Sequence, residues 1–146
     1  MKVNPKNGID QLLFGMRLPD VIAIYGQPDK QYKDEDENAI ALFNQSKMRL
    51  TFYMEEDFRL GYIIASDATL ELFGNKIIGR SHAAVKNELH EQGLQKWTKE
   101  GYDTYENWFN EDHWLVLQTE FDEIVKVELG AIINDKDEFD WKFKTK

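Results

Sequence analysis

Three histidines, His82, His90 and His113, are the side chains best suited by type to hold a metal or move a proton. His82 and His90 stand eight apart in a segment with helical spacing, so they share a face. They are also separated by two turns, about 12 Å along the axis, too far to bind one ion without a third element between them. Cysteine is absent, which removes thiolate nucleophiles, thiolate metal sites and disulfides together. The chain has no GxSxG, HExxH, Walker-type or DxDxDG pattern, and its Phe14-Gly15 and Phe73-Gly74 pairs are too isolated to cradle a phosphate. Carboxylate pairs carry no information about catalysis in a chain with 27 Asp and Glu, where close pairs arise in any arrangement. The sequence therefore predicts neither an enzyme nor a metal or cofactor site.

Charge points to binding instead. The 27 acidic residues face 18 Lys and Arg, a net charge of −9, with acidic runs at Asp34-Glu35-Asp36-Glu37, Glu55-Glu56-Asp57 and Glu120 to Glu123. Such a field repels nucleic acid, whose recognition needs cations on phosphates, and attracts a basic protein. At 42% hydrophobic and 13% aromatic, 146 residues suffice for a packed core. No apolar run follows the N-terminal Lys2, and no stretch is long enough to span a bilayer, so the sequence reads as a cytoplasmic protein.

The elements that would position a binding surface are well punctuated. Pro19 opens a short helix through Val21, Ile22, Ile24 and Tyr25, which Gly26 and Pro28 close. A polar loop follows over 29–38, then alternating strands around Ile40/Leu42, Leu50/Phe52/Met54 and Leu60/Tyr62/Ile64. Ser81 suits the N-cap of a second helix carrying Ala84, Val85 and Leu89. Strands near 105–109, 114–119 and 124–129 come after it, and Phe139, Trp141 and Phe143 close the chain as an edge strand or a tail packed on the core.

These two runs repeat one pattern. Gly15/Val21 recurs as Gly79/Val85, Phe43-Asn44 as Phe109-Asn110, Leu50/Phe52 as Leu115/Leu117, and Leu60/Tyr62/Ile64 as Val125/Val127/Leu129. The expected fold is α+β, two tandem helix-plus-antiparallel-sheet repeats over about 8–67 and 68–133 in one compact domain, with a C-terminal segment over 134–146. Side-chain alternation places the repeated apolar positions on the face beneath the helices. The opposite face then presents Arg49, Thr51 and Tyr53 from the first run and Trp108, Trp114, Val116, Gln118, Lys126 and Glu128 from the second. Aromatic and Arg side chains among polar ones suit an interface.

The stretch Gly15-Met16, Val21, Tyr25-Gly26 and Pro28, a short helix stopped by Gly-x-Pro before antiparallel strands, resembles the repeat of BamE-like and β-lactamase-inhibitor-protein-like folds. By type, a small acidic chain of this kind also resembles the immunity proteins of bacterial toxin systems. These resemblances imply an immunity protein that binds and neutralises a toxin, a basic nuclease for instance, by blocking its active site or groove. The alternative they imply is an intracellular assembly adaptor with a BamE-like repeat. The partner-binding residues expected are Tyr53, Trp114, Trp108, Arg49 and Gln118 on the sheet, with Asp34, Glu35, Asp36 and Glu37 as a phosphate-mimicking loop.

Overall fold

In the computed structural model, which describes residues 1–144, strands dominate and α-helix is confined to two short segments. The strands are β1 (Lys2–Asn4), β2 (Gly8–Ile9), β3 (Leu12–Leu13), β4 (Lys30–Lys33), β5 (Ala39–Phe43), β6 (Met48–Tyr53), β7 (Arg59–Ala65), β8 (Glu71–Leu72), β9 (Asn75–Lys76), β10 (Thr98–Gly101), β11 (Glu106–Asn110), β12 (Leu115–Glu120) and β13 (Glu123–Gly130). The helices are α1 (Leu18–Tyr25) and α2 (His82–Glu91). Eight strands form one antiparallel sheet in the order β10-β11-β12-β13-β7-β6-β5-β4. A five-stranded sheet in the order β3-β2-β1-β8-β9 is the second layer, and its β1 and β8 run parallel.

The expectation of two tandem helix-plus-sheet repeats is corrected by this topology. The short strands ahead of each helix join into one shared sheet, because β1 pairs with β8, so neither half closes on itself. The helices contribute eight and ten residues, with only Val21, Val85 and Leu89 buried. Ala84, expected on the apolar stripe, faces solvent.

Local chemistry explains both helices. Pro19 stands in the first turn of α1, where a missing amide proton costs nothing, and the Asp20 carboxylate accepts the Arg17 amide at 2.9 Å. Ser81 occupies the N-cap position of α2 without a side-chain capping bond; the Asp122 carbonyl takes the His82 amide instead. Both edge strands of the large sheet, β4 and β10, are mainly polar with every residue exposed, which is why they read as loops in the sequence.

One core fills the space between the two sheets. Leu50, Ile63, Leu129 and Leu115 form a continuous cross-strand row, each fully buried. Val3, Ile9, Leu12, Phe14 and Leu72 meet it from the small sheet's side. A bulge in each half breaks the alternation. Thr51 pairs with Tyr62 but Phe52 with Leu60, leaving Gly61 extra; Gln118 pairs with Lys126 but Thr119 with Ile124, leaving Val125 extra. Tyr62, Ile64 and Val125, expected in the core, are consequently only half-buried, while Ile63 and Ile124 take the core positions. The tail over 131–143 packs irregularly rather than as a strand run. Lys142 and Phe143 donate to the Phe14 carbonyl, and Phe139 bridges back to Ile133.

Candidate binding face

The face of the large sheet turned away from the small sheet and the helices is the candidate site. Cross-strand register fixes its membership. One row runs Leu42, Arg49, Ile64, Glu128, Val116, Phe109; the next places Ile40, Thr51 and Tyr62 beside Gly130. Ile40 and Val116 are buried yet stand apart from the main core, as expected of apolar residues on its far side.

Two aromatic rings are seated over glycines near the β7–β13 seam. A Cβ added at Gly61 would lie 2.1 Å from the Tyr53 ring, and one at Gly130 would lie 2.0 Å from the Trp114 indole. Only glycine allows rings to lie this close to the backbone. Trp114, with a left-handed φ of 46°, also meets Phe109 edge-on at 5.1 Å between centroids, yet remains 38% exposed. Such a ring is already positioned, so little ordering accompanies its burial by a partner. Tyr53 packs on Phe139 of the tail at 5.7 Å.

Between these rings Tyr62 donates its hydroxyl to Glu128 at 2.5 Å. Burial, reinforced by that carboxylate, holds the Tyr62 phenol far above its ordinary range, so it stays a donor. Burial also raises the Tyr53 phenol. Gln118 donates to Asn107 at 3.2 Å on the neighbouring strand.

The structure thus brings Tyr53, Trp114, Arg49 and Gln118 to one face. Trp108 lies on the other. It pairs with Leu117 on the core side, stacks on His82 at 4.4 Å and sits under the Lys86 ammonium at 3.3 Å. Its place on the open face belongs to Phe109, because Asn110, buried and bonded to the Lys96 carbonyl and the His113 amide, occupies a core position that polarity had hidden. The acidic loop is a tight turn between β4 and β5 at one end of the sheet. Asp34 accepts the Asp36 and Asn38 amides, while Glu35, Asp36 and Glu37 project into solvent. Asp36 lines a rim cavity of about 420 Å³ with Asn38, Tyr53, Glu55, Glu56 and Phe139, which alternation in the sequence could not reveal.

No family model matches this chain, and no curated protein matches it. Solved structures do share its fold. An extracellular protein containing an SCP domain from Bacillus anthracis superposes on 99% of this chain with a TM-score of 0.55 at 12% identity. A cysteine-rich secretory protein from Staphylococcus aureus superposes on 80% with a TM-score of 0.51 at 14% identity. The chain spans about half the length of either, 56% and 44% respectively. These neighbours correct the resemblance to BamE-like, inhibitor-type and immunity proteins, since the arrangement shared is this sheet-dominated one. The two neighbours are described as extracellular and secretory, which points away from the expected cytoplasmic location.

Proposed function

We propose that this chain is a non-catalytic binding module that acts outside the cytoplasm and grips a protein partner with the open face of its large sheet. The observation that carries the reading is the pair of aromatic rings held over Gly61 and Gly130 on a face that neither helix nor sheet covers. Pre-positioned Trp and Tyr side chains with a polar surround are the usual anchors of protein interfaces. The extracellular and secretory descriptions of the structural neighbours favour the location. That each neighbour is about twice as long favours a module working beside further domains.

Site-specific photocrosslinking tests this. A benzophenone amino acid placed at Gln118, half-buried on the open face, is expected to give a discrete protein adduct in cells, whereas the same group at exposed Asn87 on α2 gives none. Equal labelling from both positions refutes the assignment of the face.

A further inference from the structure

The open face has a second feature that protein binding alone does not explain. Away from the two aromatic rings lies a cavity of about 370 Å³, lined among others by Lys47, Arg49, Ser66 and Lys126. Three cations converge there in a chain of net charge −9, and no carboxylate lines the space. Among the described residues none of the three forms an ion pair. Asp34 and Asp67 reach Arg49 and Lys47 only as longer-range charges and direct their hydrogen bonds elsewhere, as do Asp29, which accepts the Asn44 amide, and Glu128. Glu128 accepts the Tyr62 hydroxyl; Asp34 accepts the Asn38 side chain and two turn amides; Asp67, beside Lys47, accepts both the amide and hydroxyl of Thr69. The Arg49 Nε is out of contact with solvent and has no hydrogen-bond partner. A buried, unsatisfied guanidinium donor is costly unless something bonds to it.

We infer that this cavity is a binding site for one carboxylate, held by the Arg49 guanidinium and neutralised by Lys47 and Lys126. Arg presents two parallel N–H donors in one plane, which a planar carboxylate accepts with both oxygens. Arg49 is half-buried, with Leu42 and Ile64 as its cross-strand neighbours, so its aliphatic stem has apolar surface to lie along. Ser66 adds a polar residue to the lining. The site stands on its own geometry; that the carboxylate belongs to an Asp or Glu of the protein partner rests on the reading above. The partner would then press an acidic side chain into the basic end of the face while its apolar surface meets Trp114 and Tyr53.

The test is an NMR titration of the ¹⁵N-labelled full chain with three probes: acetate, inorganic phosphate, and an N-acetylated, C-amidated Gly-Glu-Gly peptide. The expected result is a saturable shift of the Arg49 Nε–H resonance and of the Lys47, Ser66 and Lys126 amides with acetate and with the peptide. Arg49→Gln should abolish it, and Lys126→Gln should weaken it severalfold. Saturation by acetate but not by the peptide overturns a side-chain source, and saturation by phosphate alone overturns the carboxylate. No saturable shift with any probe, or equal shifts in Arg49→Gln, removes the site altogether. Should Arg49→Gln fail to fold, Lys47→Gln/Lys126→Gln, which leaves Arg49 in place and removes the two other cations, serves as the comparison. Failure of the two ideas is distinguishable: crosslinking from Gln118 can survive loss of this site, and acetate binding can survive loss of crosslinking.

Discussion

Gly130→Ala isolates what the seated indole contributes. The added methyl would lie 2.0 Å from Trp114 Cδ1 and 2.5 Å from Nε1, against an ordinary carbon contact of about 3.5–4 Å. The ring must therefore retreat by about 1.5 Å. It cannot do so by a backbone shift, because the Gly130 amide donates to the Trp114 carbonyl at 3.0 Å and β13 is paired on both sides. Rotation of the side chain forfeits the Phe109 contact, a term of about 0.5–1.5 kcal/mol, on top of overpacking of about 1–3 kcal/mol. For a chain this size a loss of about 2–3 kcal/mol lowers the thermal midpoint by roughly 5–10 °C. Circular dichroism reads the midpoint, and ¹⁹F spectra of fluorotryptophan-labelled protein read the Trp114 environment separately from Trp97, Trp108 and Trp141. Gly101→Ala is the control: nothing lies within 4 Å of its Cβ position and its φ is not left-handed, so its midpoint should stay close to that of the parent chain. An unchanged midpoint with an unmoved Trp114 resonance in Gly130→Ala would refute the claim that the ring rests on this glycine.

Other outcomes follow from the same placement. Trp108→Ala should cost stability as Leu117→Ala does, roughly 2–5 kcal/mol in urea unfolding, while leaving crosslinking from Gln118 intact; loss of the adduct in a stably folded Trp108→Ala protein would return Trp108 to the interface. With the acidic Asp34–Glu37 turn at the rim, association with a partner of basic surround should slow as salt rises while dissociation changes little, and a salt-insensitive on-rate would argue against steering. Glu88 is held below the usual carboxylate range by its hydrogen bond from Arg80, and Asp67 by bonds from Thr69. Both pKa values are lower folded than unfolded, so their stabilisation is present above about pH 4.5 and disappears as pH falls through the depressed values. Glu88→Gln should flatten the acid limb of the stability profile; an unchanged limb would show that the Arg80 bond does not form in solution.

What the sequence disclosed depended on how strongly each element signals itself. Pro19 and Gly26 bracket α1 because one fixes φ and the other terminates the helix in a conformation that disfavours a side chain. The inner strands were legible from their alternation. The edge strands were not: Lys-Gln-Tyr-Lys in β4 and Thr-Lys-Glu-Gly in β10 have no buried face to leave an apolar imprint. The two- and three-residue strands of the small sheet are shorter than any period can register, yet the pairing of β1 with β8 decides the architecture. Alternation failed at single-residue bulges: Gly61 moves Tyr62 and Ile64 off the core face, and Val125 is left off it while Val127 and Leu129 stay buried as expected. At Trp108 and Phe109 it failed because a buried Asn110 looked like surface and moved the assigned register by one.

Those same bulges organise the binding face. Gly61, the extra residue on β7, is where the Tyr53 ring comes down, and its carbonyl accepts the Ala131 amide immediately after Gly130, on which Trp114 rests. One irregularity thereby gathers two rings at one end of the central strand pair. Along β7 the face then passes from Gly61 through Tyr62 and Ile64 to Ser66, five residues or about 17 Å, from an aromatic end to a basic one. The Tyr62–Glu128 hydrogen bond lies between the two ends. A partner that satisfied only the rings would leave Lys47, Arg49 and Lys126 without a counter-charge, and one that supplied only a carboxylate would leave Trp114 in water. Selectivity of this face therefore follows from demanding an apolar and an acidic group at a fixed separation, so a mismatched partner covers unneutralised cations as well as making a weaker contact.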